Sequence, residues 1–498
     1  MKKLKLHPSL KHFEFTLDDI IFPPLKIPDF EWENVNLTSQ LTKRITLKTP
    51  LISAPMDTVT GHKMAILMAL LGGIGVIHYN FPTIQDQMRE VEKVRKFEAG
   101  FIKEPVIVCK NATIGDVLEM AEKYGFYSFP ITEDGTLNTR MVGFVTRRDV
   151  RYREDLSTNI QKVMTSAKNL ITAHCGVTLN CNDIQAANKI IKANNLDTLP
   201  IVDDDFKVVA LVTDSDLSKN QKYPMATKDS NKQLKVLVAV ESRLETAKER
   251  IMAAKEMGVS GIVVDARNIF DDHLKIARWV KKRAPELDVI LGNVVSARVV
   301  YLVMKEIGSC IDAFRVGIGG GEVCITTEAL GIGRPLGAAL YDMDQALKPY
   351  KKKYGTIGII ADGGIKSPHH IVGALMLGAQ AVMMGSELAG LDESPVEMEY
   401  NSEKGRMIKY VRGMGSSEVI RERAGGSRYG IDKNSLTNRF AEGIKKLIPY
   451  KGSGEKNIEI LFTGVRQAMH GLGHKNLKEL YRDGYIIPAR QAVSKGTL

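Results

Sequence analysis

Cys324 lies in a sequence setting where a cysteine could act as a nucleophile. It follows the glycine-rich segment Gly317–Gly321 and comes two residues before the hydroxyl of Thr326. The thiolate is the nucleophilic form of cysteine, and small or hydroxylated neighbours leave it open to a substrate. The other cysteines have no such setting and are interpreted as packing residues: Cys109, Cys175, Cys181 and Cys310.

The elements that must position Cys324 are eight short apolar runs. Most are rich in β-branched residues without polar alternation, as in parallel strands buried on both faces, and helical patterns such as 243–257 and 273–283 lie between them. This order predicts an α/β fold, a (β/α)8 TIM barrel. The predicted strands are Leu51–Ala54, Gly75–His78, Val236–Val240, Ile262–Asp265, Val289–Asn293, Ala313–Val316, Ile357–Ala361 and Ala381–Met384.

An internal repeat interrupts this alternation after the second strand. The segments Ser128–Ile131 and Val142–Asp149 are followed, in the same order, by Thr198–Ile201 and Val209–Asp216. Each copy predicts a short strand (Val106–Val108 or Leu170–Ala173), a helix, two more strands and a helix that begins at Thr-x-x-Asp. Such a start suits a helix N-terminus, where free backbone N–H groups need acceptors.

This repeat resembles a pair of cystathionine-β-synthase (CBS) domains, in which the Thr-x-x-Asp segment contacts the ribose of adenine nucleotides. The resemblance implies regulatory purine nucleotides bound at Thr146, Asp149, Thr213 and Asp216. Three domain segments are therefore expected. Residues 1–100 form the first part of the barrel, 101–222 the tandem CBS domain, and 223–498 the rest of the barrel with the catalytic loop and an active-site flap.

Loops at the C-terminal ends of the later barrel strands concentrate glycine, acid and thiol. Catalytic residues of such barrels lie on these loops, and phosphate is frequently bound after strands seven and eight. Those two loops contain Asp362–Gly364 and Gly385–Ser386. A single Gly-Gly could simply turn the chain, but two such loops at consecutive strand ends favour a phosphorylated substrate.

Seven sequence motifs occur in the same order as in one enzyme family, which makes the resemblance specific. Together with the repeat, this resemblance covers almost the whole chain. They resemble the inosine 5′-monophosphate (IMP) dehydrogenase family, enzymes of guanine nucleotide biosynthesis. The resemblance implies NAD-dependent oxidation of IMP to xanthosine 5′-monophosphate (XMP) through a covalent thioimidate on Cys324. The motifs are Ala54–Thr60, Gly72–His78, Gly292–Val295, Gly319–Thr326, Ala361–Gly364, Met383–Ser386 and Tyr410–Ser416.

The same resemblance implies the site residues. Thr326, close to the nucleophile, would help to activate water. Asp362 would hold the ribose hydroxyls; the other substrate residues are Gly364, Gly385, Ser386 and Tyr410 for the phosphate, Met414, Gly415 and Glu442 for the base, and also Met56, Gly363 and Gly413. The cofactor NAD would lie against Asp265, Asn293, Arg315, Gly317 and Gly319, and a potassium ion would take main-chain carbonyls of Gly319, Gly321 and Cys324.

The pair Arg428 and Tyr429 helps to distinguish two enzymes of this superfamily, IMP dehydrogenase and guanosine 5′-monophosphate (GMP) reductase. In IMP dehydrogenases a flap brings an Arg-Tyr pair into the vacated NAD site, where the arginine acts as a base towards water. The segment from Tyr410 to Glu442 is long, polar and glycine-containing, as a lid requires. GMP reductases share the barrel and the cysteine but have a shorter segment here and use NADPH. The flap favours the dehydrogenase, with a CBS-containing reductase as the alternative.

The sequence departs from the family pattern at two places. Glu322 stands where a serine usually donates to the substrate phosphate, and Ala266-Arg267 stand where two serines usually lie on the dinucleotide side. A carboxylate about 4 Å from a phosphate charge costs roughly 4 kcal/mol at an effective dielectric near 20. We therefore expect Arg267 or another basic side chain to pair with Glu322.

Composition bounds the remaining possibilities. The 498 residues are 44% hydrophobic and 26% charged, which is ordinary for a globular protein. No apolar run is long enough for a membrane span, no secretory signal is recognised, and sparse cysteines without CxxC spacing predict free thiols. We expect a cytoplasmic protein without a membrane partner, assembled as a homotetramer or octamer as in the family.

A net charge of +11 could indicate a nucleic-acid partner. The densest basic clusters, Lys281–Arg283 and Lys351–Lys353, fall in amphipathic helical stretches and are interpreted as solvated helix faces. Nucleic acid is therefore not expected. Because of Glu322 and the charge, a catalytically weakened relative that senses nucleotides or binds RNA is a third hypothesis.

Overall fold

The computed structural model of the 498-residue chain describes residues 5–7, 10, 13–97, 102, 105–124, 126–176, 178, 184–213, 222–422 and 441–489. The chain divides into two compact units. One unit comprises Met1–Lys96, Met225–Thr227 and Leu234–Leu498, and the other comprises Phe97–Pro224 and Lys228–Gln233. The repeat found in the sequence lies in the second unit.

A closed barrel of eight parallel strands forms the centre of the first unit. Neighbouring strands pair in parallel in chain order, and Ile74–Ile77 closes the ring against Val236–Val240. The observed bounds differ from the predicted ones by at most one residue at either end, so the predicted TIM barrel is confirmed. The strands are Leu51–Ser53, Ile74–Ile77, Val236–Val240, Gly261–Asp265, Asp288–Val294, Ala313–Val316, Gly358–Asp362 and Ala381–Met384.

Helices surround this barrel and cover the outer faces of its strands. The two helical patterns noted in the sequence correspond to Leu244–Glu256 and Asp271–Arg283. Each buries one apolar face, for example Ile276 and Val280 on the second, as expected for a helix that packs on a sheet. The other helices are His62–Leu70, Ile84–Arg95, Ala297–Ile307, Thr326–Leu330, Leu336–Tyr354, Pro368–Met376, Ser386–Ala389, Ser417–Glu422, Gly454–Gly471 and Leu477–Asp483, with 3-10 turns at Trp32–Asn34 and Gly308–Cys310.

Among the described residues, three small sheets complete this unit. One joins Lys5–Leu6, Tyr485–Pro488 and Ile20–Ile21, and another is the hairpin of Ser39–Gln40 with Thr46–Leu47. The third is antiparallel and lies next to Cys324 in the fold, because isolated bridges join Gly443 to Cys324 and to Ser416. Its strands are Glu399–Asn401, Arg406–Arg412 and Lys445–Pro449.

The interior of the barrel is a packed apolar core. All eight strands contribute to one cluster of buried residues, among them Ile52, Val263 and Ile360, and Leu47 of the hairpin belongs to the same cluster. Such an interior has no room for a ligand. A binding site in this unit must therefore lie beyond the strand ends.

The second unit contains two strand–helix–strand–strand arrangements. In the first, Val108–Cys109 pairs in parallel with Phe129–Thr132, which pairs antiparallel with Met141–Val145. In the second, Ala173–His174, Thr198–Val202 and Val208–Thr213 pair in the same way. The first strand of each copy is shorter than predicted because only two of its residues pair with a neighbour. The remaining elements are the strand Thr165–Ser166, the helices Ile114–Tyr124, Arg147–Val150 and Ile184–Asn194, and the 3-10 turns Ile160–Lys162 and Ala167–Asn169.

A search of the described residues for membrane spans finds no helix that combines the necessary length and apolar character.

Candidate active site

A cavity opens at the C-terminal ends of the barrel strands. Its walls come from the end of strand five, from loops after strands one, four, six, seven and eight, and from the segment around Gly413, so residues far apart in sequence meet at one mouth. This is where barrels of this class carry their chemistry. The lining residues are Ala54–Met56, Asp265–Arg267, Asn293, Arg315, Gly317–Cys324, Thr326, Asp362–Lys366, Met383–Glu387, Gly413–Gly415 and Glu442.

Cys324 begins a chain of hydrogen bonds at this mouth. Its Sγ lies 3.3 Å from Oγ1 of Thr326, which donates to Oε2 of Glu442 at 3.2 Å. Arg267 Nη1 donates to Oε1 of the same carboxylate at 2.5 Å. A hydroxyl has one proton, so while Thr326 donates to Glu442 it can only accept from the Cys324 thiol. The arrangement provides a path for a proton between the thiol and the carboxylate.

A second polar group lies across strands four to seven. Arg315 donates from Nη1 to Asp265 at 2.8 Å and from Nε to Asp362 at 2.7 Å. Burial alone would lower the pKa of Arg315, but the charges of Asp362 and Asp265 outweigh it and the pKa is raised. Asn293 also donates to Asp362, at 2.7 Å. Arg315 and Asn293 both donate to Oδ2 of Asp362, so neither of them occupies Oδ1 of that carboxylate.

Glycine is required where the loop after strand six meets strand seven. Gly317 has φ +138°, and a Cβ there would lie 1.9 Å from the carbonyl oxygen of Asp362. The same loop approaches the loop after strand seven so closely that a Cβ on Gly363, with φ +96°, would lie 3.2 Å from the amide nitrogen of Gly321. The glycines therefore allow two backbones to pack together beside Cys324.

Glu322 is paired, as expected, but not with Arg267. Lys366 Nζ lies 2.9 Å from Oε1 and Lys446 Nζ lies 3.3 Å from Oε2 of Glu322. The hydrogen bond from Lys366 is the main cause of a pKa of Glu322 below its ordinary value. The sequence predicted that Arg267 or another basic side chain pairs with Glu322. Arg267 does not, because it pairs with Glu442. The two lysines are the basic side chains that pair with Glu322, so the prediction of another basic partner is confirmed.

Most of the candidate residues meet at the cavity, although Tyr410 is not among the described residues that line it. Tyr410 lies in the strand Arg406–Arg412, opposite Leu447, with Nζ of Lys445 4.0 Å from its ring centroid. Arg428 and Tyr429 lie outside the described residues. The candidates that line the cavity are Met56, Asp265, Asn293, Arg315, Gly317, Gly319, Gly321, Cys324, Thr326, Asp362, Gly363, Gly364, Gly385, Ser386, Gly413, Met414, Gly415 and Glu442.

The candidate regulatory residues lie in the second unit. Asp149 Oδ2 accepts from the backbone N–H of Thr146 at 2.7 Å and from its hydroxyl at 2.8 Å, at the start of the helix Arg147–Val150. The predicted helix start at Thr146 is thus present. Thr213 ends the strand Val208–Thr213, and Asp216 lies outside the described residues.

Sequence reasoning missed two charged residues of the cavity wall. Lys366 comes two residues after Gly364, and Glu387 follows Ser386 directly. Glu387 accepts a hydrogen bond from Lys451. Their position in loops that follow barrel strands was the available signal, because side chains in those loops face the catalytic end.

A closed parallel barrel with a cysteine, a carboxylate and glycine loops at its C-terminal mouth defines a TIM-barrel enzyme, and comparison with known proteins gives its family. The model of the IMP dehydrogenase / GMP reductase domain matches residues 14–495. The IMP dehydrogenase of Schizosaccharomyces pombe is 40% identical over 479 residues, 94% of this chain and 86% of that protein. That of Aquifex aeolicus is 38% identical over 475 residues, 95% and 92% of the two chains.

A solved structure agrees with these relatives. A GMP reductase variant from Trypanosoma brucei, in complex with guanosine 5′-monophosphate, superposes with a TM-score of 0.83 at 25% identity over 98% of both chains. The present chain belongs to the IMP dehydrogenase / GMP reductase family. The family, the barrel and the oxidoreductase class predicted from the sequence are confirmed.

Proposed function

We propose that this chain oxidises IMP to XMP with NAD⁺ as the hydride acceptor, a step of guanine nucleotide biosynthesis. The observation that carries the proposal is the chain of contacts from Cys324 through Thr326 to Glu442 at the cavity mouth. Support also comes from relatives named IMP dehydrogenase that are 38% and 40% identical over most of this chain.

The reaction has two stages at Cys324. Its thiolate attacks carbon 2 of the hypoxanthine ring, and a C–S bond forms while a hydride leaves that carbon. Bound NAD⁺ supplies the acceptor for this hydride. Water then adds to carbon 2 of the thioimidate and the C–S bond breaks, which releases XMP and the thiol. Covalent catalysis replaces one difficult displacement by two easier steps.

Thr326 and Glu442 act as the local proton path. The Thr326 hydroxyl lies between the sulfur and the carboxylate, so it can take a proton from Cys324, or from water beside it, and pass one to Oε2 of Glu442. The family resemblance adds Arg428 and Tyr429 as the flap pair that acts on the hydrolytic water.

Asp362 and the glycine loops fit the substrate. Asp362 is held through Oδ2, which leaves Oδ1 to accept from ribose hydroxyls. The loops after strands seven and eight are where barrels bind phosphate. The residues proposed for this group are Gly364, Gly385 and Ser386 of these loops, together with Tyr410 of the strand Arg406–Arg412. Gly363 lies beside them in the cavity wall. Met56, Gly413, Met414 and Gly415 line the same cavity and would face the rest of the nucleotide.

The dinucleotide is proposed to bind beside Asp362, where Asn293 and Arg315 line the same cavity. Asn293 Oδ1 is buried and has no hydrogen-bond partner among the described residues, so a ligand hydroxyl or amide could satisfy it. Asn293 Nδ2 is already committed to Asp362 and to the carbonyl of Gly317, which fixes the direction of Oδ1. We propose that Asp265, Asn293, Arg315, Gly317 and Gly319 hold NAD.

Potassium is proposed to bind backbone oxygens of the catalytic loop. No group of three His, Cys, Asp or Glu residues suited to a metal occurs in the described part of the chain, but potassium prefers carbonyl oxygens. The carbonyl of Gly321 accepts from the amide of Cys324 at 3.1 Å and keeps a second lone pair. We propose the carbonyls of Gly319, Gly321 and Cys324 as ligands.

The second unit is proposed as the tandem CBS domain, with purine nucleotides as regulatory ligands. A homotetramer or octamer and a cytoplasmic location remain predictions from the family resemblance.

Absorbance at 340 nm tests the proposed reaction. The purified chain with IMP and NAD⁺ should form NADH, faster with potassium, and Cys324→Ala should abolish it. Cys310→Ala is the matched control, because Cys310 is also a free, half-buried cysteine but lies away from the cavity. Turnover retained by Cys324→Ala would refute the covalent mechanism.

The structural similarity to a GMP reductase requires a second assay. GMP with NADPH should give no consumption of NADPH. If NADPH is consumed with GMP and no NADH forms from IMP and NAD⁺, the chain catalyses the reductase reaction instead.

A further inference from the structure

A charged cluster at the cavity rim takes no part in the chemistry proposed above. Glu322 lies two residues before Cys324, and both Glu322 and Lys366 line the cavity. Lys446, from the strand Lys445–Pro449, reaches the same carboxylate. The distances are 2.9 Å from Oε1 to Lys366 Nζ and 3.3 Å from Oε2 to Lys446 Nζ. In this Glu322 cluster, two ammonium groups therefore share one carboxylate.

The cluster carries net positive charge and stays open to solvent. The hydrogen bond between Glu322 and Lys366 lowers the pKa of the acid and raises that of the lysine, so both remain charged at neutral pH. The side chains are 25% exposed for Glu322 and 48% for each lysine. An ammonium has three donors, and one bond to Glu322 leaves donors free on each lysine.

The position of the cluster points to an anionic end group. The backbone of Gly320 and Gly321 packs against Gly363 and Gly364, where added Cβ atoms would meet it at 3.1–3.2 Å. Glu322 and Lys366 extend these two segments. Lys366 therefore lies in the loop after strand seven, one of the two loops that bind phosphate in barrels of this class, and Glu322 lies beside it.

We propose that Lys366 and Lys446 bind the phosphate of the nucleotide substrate and that Glu322 competes with this phosphate for them. The identity of the nucleotide rests on the proposed function. Glu322 keeps the two ammonium groups in place when the phosphate is absent. When a phosphate dianion arrives, the carboxylate repels it and holds back part of the lysine charge. Affinity for the phosphorylated ligand then depends on the balance of these three charges, whereas affinity for the dephosphorylated nucleoside does not.

Titration calorimetry of IMP and inosine with the full chain tests this balance. Glu322→Gln removes the competing charge and should tighten IMP binding about threefold to tenfold, whereas Lys366→Gln should weaken it by a similar factor. Inosine affinity should change less than about twofold in both variants. Glu328→Gln and Lys352→Gln are matched controls, because they remove the same charges from exposed positions outside the cavity wall.

Changes of IMP affinity in opposite directions in Glu322→Gln and Lys366→Gln exclude partial unfolding as the cause, since partial unfolding would weaken IMP binding in both variants. Glu322→Gln binding IMP as the wild type does, or more weakly, would overturn the proposal. So would equal shifts for IMP and inosine, or a failure of the wild type to bind IMP. The result is independent of turnover: a chain that forms no NADH refutes the proposed function, but it can still show the charge-dependent difference in binding.

Discussion

Arg267 donates a 2.5 Å hydrogen bond to Glu442, a residue 175 positions later in the chain. The pair joins the loop after strand four to the segment that follows the expected flap. The side chain of Glu442 is only 11% exposed and that of Arg267 26%. The other oxygen of Glu442 accepts from Thr326, so this ion pair fixes the end of the proton path that begins at Cys324.

Arg267→Met should therefore destabilise the protein and slow turnover. A mostly buried carboxylate would lose its counter-charge, which we expect to cost about 1–2 kcal/mol. Arg267→Met/Glu442→Gln should recover most of that stability, because the amide needs no counter-charge, but it should not recover the rate. Urea unfolding and NADH formation measure the two effects. Arg298→Met, at an exposed helix position, is the control, and equal losses in both methionine variants would contradict the pairing argument.

Thr326→Val should separate the two stages of the reaction. Without the hydroxyl, Cys324 that is already a thiolate can still attack, but no group relays a proton from the hydrolytic water to Glu442. We expect one rapid turnover of NADH per site followed by a steady rate about 100-fold below that of the wild type. Stopped-flow absorbance resolves the burst. Thr326→Ser keeps the hydroxyl and should retain most of the rate, so a serine variant as slow as the valine variant would argue against the relay.

The barrel could be predicted from the sequence because its strands are strong local signals. Runs such as Val236–Val240 are wholly apolar and buried. Because the catalytic residues of such barrels lie at the C-terminal strand ends, Cys324, Asp362 and Asn293 could also be predicted to share one site, and they line one cavity.

Side-chain partners at the mouth could not be predicted in the same way. Whether Arg267 reaches Glu322 or Glu442 depends on the paths of three loops, and sequence spacing does not encode those paths. Lys366 was overlooked although it follows a correctly predicted strand, because its role appears only when Glu322 is seen opposite it. The first strand of each copy in the second unit is shorter than the sequence predicts, because only two of its residues pair with the neighbouring strand.

Gly317 and Gly331 offer a matched test of the glycine argument. Both have positive φ, +138° and +68°, but a Cβ at Gly317 would lie 1.9 Å from the Asp362 carbonyl, whereas nothing lies within 4 Å of one at Gly331. Gly331→Ala should cost only about 1 kcal/mol of stability and little activity. Gly317→Ala must displace the end of strand seven, and a shift of about 1 Å at Asp362 can lower kcat/KM about 100-fold. Similar activities for the two variants would show that the loop adapts.

His273 should make the stability of the barrel unit sensitive to pH. It is fully buried near the start of the helix Asp271–Arg283. Burial lowers the pKa of His273 from 6.5 to about 4, against the opposing charges of Asp272 and Asp265. Because the folded-state pKa is depressed, the unfolded state binds more protons between these two values. The neutral ring therefore contributes its full stability above pH 6.5, and that contribution falls as the pH drops towards 4, by up to about 3 kcal/mol.

His273→Asn should flatten this dependence. The Asn side-chain oxygen can replace Nδ1, which accepts from the backbone N–H of Phe270 at 3.3 Å, and it does not titrate. Urea midpoints at pH 7, 6 and 5 measure the effect through the fluorescence of Trp32 and Trp279, which both belong to the barrel unit. His470→Asn, at a half-exposed position, should keep the wild-type slope. If His273→Asn also keeps that slope, the acid sensitivity arises from other groups and the neutral buried ring is not its source.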